Sequence, residues 1–548
     1  MTVASAHVDT FAAGLLPPRE QRPDMIFTLP ELQYPERLNC AARLLDRHLL
    51  EGNAERRCIL GSGVAWSYGD VLRTANRIAH FLVDDLGIIP GNRVLLRAPN
   101  SPMLAACWFA VLKAGAIAVT SMPLLRAGEL RFMIEKAAVR HALCDARLAD
   151  DLRIASGAIE GFETICFGSG KPESLEARMV CKPEAFDNVD TAAEDVAAIA
   201  FTSGTTGRPK AAVQTHRDFL ASCDSYGAHV LRPSRDDLFC GTPPLAFTYG
   251  LGGLLLFPMH AGAATLLLEK ATPDLLLRAI EESRVSVLFT APVAYRAMAE
   301  SVGAYDVGSL RTCVSAGETL PPSVWRAWHE KTGVKILDGI GSTEMFHIFV
   351  GSPVERAIPG STGLVVPGYR AEIHDDAGNP LPPNTVGRLA VKGPTGCRYL
   401  DDERQTTYVR NGWNYPGDAY RMDEEGRFWY VARIDDMIIS SGYNISGPEV
   451  EAALMEHPDV NECAVVAKPD RVRSTNVVKA YVVLADGIAA DESEAATLRE
   501  FARSRIAPFK CPREIEFVAS LPRTETGKVQ RFLLRQKAAD EAAAAHAE

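Results

Sequence analysis

The chain has 548 residues, 47% of them hydrophobic and 23% charged, the balance of a globular protein too long for one hydrophobic core. Its 58 basic against 69 acidic residues give a net charge of −11, without any run of five or more like charges. This excludes disordered, collagen-like and coiled-coil chains and argues against a nucleic-acid partner, while a local basic site for a small phosphorylated ligand stays open.

The N-terminus lacks a basic stretch followed by an apolar core, so no signal peptide is expected. The twelve cysteines form no C-x-x-C pair, which disfavours zinc-ribbon and thioredoxin-type sites. They read as reduced, mostly buried thiols of a cytoplasmic protein. From residue 93 onward, strand-like RVLLRA (93–98) leads into a helical stretch 101–113 and then AIAVTSM (116–122). Further strands are expected at 197–203, 264–269, 285–290 and 311–316, with helices at 273–283, 292–302 and 322–332. Such alternation implies mostly parallel sheets covered by helices, an α/β fold.

Between Asp237 and Glu269 there is no charged residue, a span long enough on paper to cross a bilayer. Pro243, Pro244, Pro258, His260 and five glycines break it, so two buried strands around a Gly-rich turn and a short helix are expected, with no membrane partner. Residues 360–432 are rich in Gly, Pro and short strands and read as a small antiparallel or barrel-like subdomain. After Arg433 the texture changes again. Ser446, Pro448 and Glu449 start a capped helix, followed by strands, a helix near 492–506 and another strand. The expected division is a large domain, 1–433, and a small α+β domain, 434–548. The closing AADEAAAAHAE is read as a frayed helix or tail.

The most informative stretch is Thr202-Ser203-Gly204-Thr205-Thr206-Gly207-Arg208-Pro209-Lys210, expected between a strand and a helix starting near His216. Hydroxyls and glycine amides can surround a phosphate without steric obstruction, and Lys210 adds charge. It is not a Walker A loop: Pro209 stands at the second glycine position and Ala211 replaces the magnesium-holding Ser/Thr. No G-x-G-x-x-G marks a dinucleotide site.

TSGTTGRPKA resembles the phosphate loop of the adenylate-forming enzymes, which include acyl- and aryl-CoA ligases, luciferases and peptide-synthetase adenylation domains. Further motifs resemble that family's in order: SAGETLP (315–321), DGIGSTE (338–344), YPGD (415–418), ARIDDMIISSGYNISGPEVE (432–451) and PRTETGKVQR (522–531). The resemblance covers about residues 30–535. It implies an aryl-carboxylate CoA ligase: acid and ATP give an aryl-adenylate and pyrophosphate, then CoA gives aryl-CoA and AMP. Mg²⁺ would offset phosphate charge.

By the same resemblance, Lys528 stands between the acid and the α-phosphate as the main catalytic group. Glu344 helps hold Mg²⁺, with Thr206 near the phosphates. Thr202, Ser203, Gly204, Thr205, Thr206, Gly207 and Lys210 cradle the phosphates. Gly317 and Glu318, with Asp338, Gly339, Ile340, Gly341, Ser342 and Thr343, complete the AMP site. Asp418 accepts both ribose hydroxyls and Arg433 contacts ribose or phosphate. Asp435 matches the hinge about which the small domain swings between an adenylating and a thioester-forming face. Ser441, Gly442 and Tyr443 would lie near the pantetheine thiol of CoA.

The implied acid pocket comprises Phe247, Thr248, Tyr249, Gly250, Phe257, Gly341, Met345, His347 and Ile348. That set is apolar and aromatic and suits a flat ring. PLAFTYGLGG and LDGIGSTEMFHIF resemble the benzoate-CoA ligase branch, which includes 2-aminobenzoate-CoA ligases. The sequence leans slightly to 2-aminobenzoate, with benzoate almost level. A stand-alone adenylation enzyme loading a separate carrier protein is the alternative. A non-catalytic relative is disfavoured by intact Lys210, Glu344, Asp418, Arg433 and Lys528. A homodimer is left open.

Overall fold

The computed structural model describes residues 3–202, 209–440, 443–470, 475–523 and 528–544, without the side chains of Asp435, Tyr443, Asn444, Thr475 and Ala544. Ser203, Gly204, Thr205, Thr206, Gly207, Ser441 and Gly442 therefore lie outside the described residues. The chain divides into two compact units, Met1–Ala371 with Ala390–Tyr415, and Glu372–Leu389 with Pro416–Glu548. The β-rich stretch 360–432 thus contributes to both units.

Two sheets build the first unit. One has six strands in the order Glu163–Phe167, His141–Asp145, Arg93–Arg97, Ile117–Ser121, Val196–Thr202 and Lys210–Thr215, among the described residues. All neighbours are parallel except the last pair. The other sheet has nine strands, and its centre runs parallel through Ile336–Gly341, Thr312–Ser315, Val287–Thr290, Leu238–Gly241 and Ala264–Leu266. The covering helices include Pro102–Lys113, Pro273–Ser283, Pro292–Ser301 and Pro322–Thr332, each with Pro in its first turn, where the missing N–H costs nothing. Leu276, Leu288, Tyr295, Trp328 and Ile336 pack together between helices and sheet. Removing such surfaces from water is the main favourable term in folding.

In the second unit, Asp418–Met422 pairs antiparallel with Phe428–Arg433. A separate hairpin joins Met437–Ser440 to Tyr443–Ser446. Val460–Asp470, Thr475–Leu484 and Glu514–Phe517 form a third sheet, packed with helices Gly447–Leu454 and Glu492–Arg505. Helix Arg531–Ala544 carries the start of the alanine-rich tail.

The helix expected near His216 is found at His216–Ser222, and a strand that was not expected stands before it. The stretch between the phosphate loop and His216 is a strand, Lys210–Thr215, antiparallel to Val196–Thr202 with Thr202 opposite Lys210. Its other edge is filled by 398–400: Val213 N–H donates to the Arg398 carbonyl at 2.8 Å, and Leu400 N–H to that of Ala211 at 2.9 Å. Partners on both edges outweigh the helix propensity of its alanines. Within 237–269 the two expected strands are Leu238–Gly241 and Ala264–Leu266, and the helix between them is longer than expected, with helical backbone through 248–261 and a π-helical turn at Gly252–Leu256. Pro258 falls just after that turn, where the regular ladder is already interrupted. No helix among the described residues is long and apolar enough to cross a membrane.

Helix His216–Ser222 begins with a capping box in which Asp218 accepts from Thr215 N–H at 2.8 Å. The same carboxylate oxygen takes the Arg398 guanidinium at 2.7 Å, and both side chains are buried. Arg398→Met strands a buried carboxylate. It should lower unfolding free energy by about 3–5 kcal/mol in urea denaturation, and a change below about 1 kcal/mol would show the pair to be dispensable.

Candidate active site

Strand alternation puts Lys210, Ala212 and Gln214 on one face, and that face meets the segment after strand Ile336–Gly341. Gln214 Nε2 donates to the Thr343 carbonyl at 2.8 Å. Lys210 Nζ lies 3.2 Å from Glu344 Oε1, with 20% of the lysine side chain and 8% of the glutamate exposed. The same carboxylate oxygen accepts the Tyr399 hydroxyl. Burial, then the Glu344 charge, holds that phenol far above its ordinary pKa. Lys210 Nζ stands 4.9 Å from the Tyr399 ring centre and 5.8 Å from that of Tyr408. Tyr408 is fixed in turn by a 2.8 Å hydroxyl contact with Ser342.

The corner thus holds a lysine at the end of the 202–210 motif and a carboxylate able to face a cation. Mg²⁺ is characteristically held by one or two carboxylates while substrate phosphates supply further oxygens. Glu344 fits that requirement.

The parallel strands Val287–Thr290, Thr312–Ser315 and Ile336–Gly341 end side by side, with Thr290 opposite Ser315 and Ser315 opposite Asp338. Carboxyl ends of parallel strands are where open α/β sheets bind ligands. Gly317 and Glu318 follow the middle strand there, and Gly339, Ile340 and Gly341 belong to the third. Burial pushes the Asp338 carboxyl well above the usual range. Burial, with the Asp338 charge also contributing, raises the Tyr226 and Tyr249 phenols.

Beside those strand ends a cluster of rings surrounds His347. Its ring centre lies 4.6 Å from Phe257, 5.4 Å from Tyr226, 5.7 Å from Tyr249 and 6.4 Å from Phe289. His347 is 3% exposed. Nε2 donates to the Tyr249 carbonyl at 3.4 Å, which leaves Nδ1 as the acceptor, and that nitrogen has no hydrogen-bond partner among the described residues. The Cδ2 edge faces Gly252, where a Cβ would come within 2.4 Å, so the helix can approach this closely only through glycine. Burial lowers the His347 pKa to about 3, so the ring is neutral at physiological pH.

The expected acid-pocket residues separate into two groups. Tyr249, Phe257 and His347 share the ring cluster, with Gly341 and Ile348 paired beside it. Phe247 and Thr248 line a narrow cavity of about 10 Å³ with Trp108, Gln214, Phe219 and Phe346. Gly250 packs against Pro244, whose carbonyl a Cβ would meet at 2.1 Å.

In the second unit, Arg433 donates to Asp418 Oδ2 at 3.0 Å and to the Pro416 carbonyl at 2.9 Å. The arginine passes over Gly417, φ +90°, where a Cβ would sit 2.8 Å from its Nη2. The positive φ is what calls for glycine at this YPGD position. Lys528 is exposed, next to Val529, which bridges to Arg523. The structure therefore brings Lys210, Glu344, Ser342 and Thr343 together in one unit, and Asp418 with Arg433 in the other. Tyr399, Tyr408, Gln214, Tyr226 and Phe289 were not anticipated. Only Gln214 carried a local signal, as the polar residue sharing the alternating face of Lys210.

The family model described as AMP-binding enzyme matches residues 46–398, and the AMP-binding enzyme C-terminal domain matches 449–528. The benzoate–CoA ligase of Thauera aromatica is 33% identical over 515 residues, 93% of this chain and 98% of the relative. Among solved structures, the anthranilate CoA ligase AuaEII in complex with anthranoyl-AMP is 31% identical, with a TM-score of 0.88 over 94% of this chain and all of that one. A benzoate CoA ligase from Burkholderia xenovorans LB400 is 31% identical, with a TM-score of 0.83 over 91% of this chain and all of that one.

Buried His216, like His347, has its pKa lowered to about 3 from an ordinary 6.5. Between those values the unfolded chain binds protons that the folded chain refuses, so stability is full above about pH 6.5 and is lost as pH falls toward 3. Each histidine contributes a slope of up to about 1.4 kcal/mol per pH unit. Thermal melts at about pH 5 and about pH 8 should differ less in His347→Phe than in the parent chain. An unchanged difference would contradict the neutral assignment.

Proposed function

We propose, on the premise that the chain belongs to the AMP-binding enzyme family and is an AMP-forming acid–CoA ligase, that its acid is a benzoate-type aromatic carboxylate, with 2-aminobenzoate slightly ahead of benzoate. The observation that carries this reading is the ring cluster around a neutral histidine whose Nδ1 lacks a partner. Flat rings favour a flat acid. A buried acceptor left empty costs about 1–3 kcal/mol, and an ortho-amino N–H can fill it. The likeness to an anthranilate ligase and a benzoate ligase supports the same choice.

The reaction joins two anions. A carboxylate oxygen of the acid attacks the α-phosphorus of ATP and pyrophosphate leaves; the CoA sulfur then attacks the acyl carbon and AMP leaves. Lys210 supplies fixed positive charge at the phosphates, Asp418 holds the ribose and Arg433 its phosphate side. Mg²⁺ at Glu344 would offset phosphate charge. Thr202 and the loop to Gly207 cradle the phosphates. Gly317, Glu318 and the 338–343 segment border the base. We assign Lys528 to the first half-reaction only, with the 434–548 domain pivoting at Asp435 to bring the Ser441–Tyr443 segment to the CoA thiol.

Initial rates with ATP, free CoA and a panel of acids test the substrate reading. Benzoate and 2-aminobenzoate should lie within about tenfold of each other and well above short fatty acids. His347→Phe should cost 2-aminobenzoate about five- to thirtyfold more kcat/KM than benzoate, the loss of one hydrogen bond of about 1–2 kcal/mol. A parent enzyme that prefers a fatty acid, or that adenylates without using CoA, would overturn it.

Lys528→Ala should reduce pyrophosphate exchange by about a hundredfold or more, the scale for removing one charge-stabilising donor. Thioester formation from supplied aryl-adenylate should be far less affected. Equal loss of both half-reactions would refute the division of labour.

A further inference from the structure

The two oxygens of the Glu344 carboxylate have different surroundings. Oε1 takes both polar contacts, the Tyr399 hydroxyl and Lys210 Nζ at 3.2 Å. A carboxylate oxygen offers two lone-pair sites, so these two donors saturate it. Oε2 has no partner among the described residues.

The contact on Oε1 is held from behind. Tyr399 is buried, and its main chain bridges to Ala212, the residue between Lys210 and Gln214 on their shared strand face. Its N–H donates to Gln405 Oε1 at 2.9 Å. Gln405 is buried too, and its Nε2 donates to the carbonyls of Gln21 at 2.8 Å and Cys397 at 3.2 Å. The Tyr399 ring meets Tyr408 edge-on, with centres 5.9 Å apart. A buried polar network with its groups satisfied in this way rigidifies what it holds. Here it seats a phenol whose hydroxyl ends on one glutamate oxygen.

We propose that Tyr399 is a positioning residue for Glu344: by holding Oε1 together with Lys210, it leaves Oε2 as the oxygen offered to the cation that accompanies the ATP phosphates. The inference rests on the assignment of Mg²⁺ to Glu344 above. The two donors divide the work. An ammonium on a flexible stem supplies charge without direction, whereas an O–H on a seated ring fixes direction. Hydrogen-bond partners behind a ligating carboxylate orient it, and losing one weakens metal binding by about ten- to a hundredfold.

Tyr399→Phe keeps the ring beside Lys210 and against Tyr408 and removes only the O–H. The test measures the Kd of ATP by titration calorimetry, with excess Mg²⁺ and with EDTA, in the parent enzyme, Tyr399→Phe, Glu344→Gln and the double variant. In Tyr399→Phe the tightening by Mg²⁺ should fall about tenfold, while the Kd in EDTA stays within about twofold of the parent's. The double variant should lose no more than Glu344→Gln alone, because the hydroxyl acts only through that carboxylate. Gln405→Met, which unseats the Tyr399 main chain and keeps its hydroxyl, should act in the same direction by less, and it carries the test if Tyr399→Phe does not fold. Equal weakening with and without Mg²⁺ would show a merely structural role and overturn the proposal. So would full tightening in a folded Tyr399→Phe where Glu344→Gln has lost it. A parent enzyme whose ATP affinity ignores Mg²⁺, or a Glu344→Gln variant that keeps the response, would remove the Mg²⁺ assignment itself.

Discussion

A lysine and a carboxylate 3.2 Å apart, held where Lys210 pairs with Thr202, set the terms for the first unit. A largely buried glutamate cannot stand without a countercharge, and Lys210 supplies it to Glu344. The Tyr399 hydroxyl shares the same carboxylate oxygen and fixes its orientation from a second direction.

Much of this was legible in advance because it is local. Regular elements such as Pro273–Ser283 follow from a Pro start and apolar spacing. Lys210, Glu344, Asp418 and Arg433 stand in short motifs whose resemblance to a known family implies their chemistry. What could not be read is what depends on pairing between distant segments. Tyr399 reaches Glu344 only because 398–400 adds to the edge of Lys210–Thr215, a register that no stretch of sequence encodes by itself. For the same reason the stretch after the phosphate loop was not recognised as a strand. A helix sends neighbouring side chains to different faces, so Thr248 lines a small cavity while Tyr249 joins the ring cluster, a division that composition does not reveal.

The charged groups are divided between two bodies of the chain. Lys210 and Glu344 belong to the larger, Asp418, Arg433 and Lys528 to the smaller. Each unit holds its own charged pair: Lys210 with Glu344 in one, Arg433 with Asp418 over Gly417 in the other. The ring cluster follows the opposite rule: there Nδ1 of His347 has no partner among the described residues.

The carbonyl of Val314 accepts from two hydroxyls, Tyr249 at 3.2 Å and Tyr295 at 3.0 Å. Tyr249 is a wall of the ring cluster, Tyr295 is buried in the core, and Gly317 and Glu318 follow within a few residues of that carbonyl. A single peptide group thus ties the ring cluster to the packed interior at the end of strand Thr312–Ser315, so removing either hydroxyl leaves that strand end held by the other.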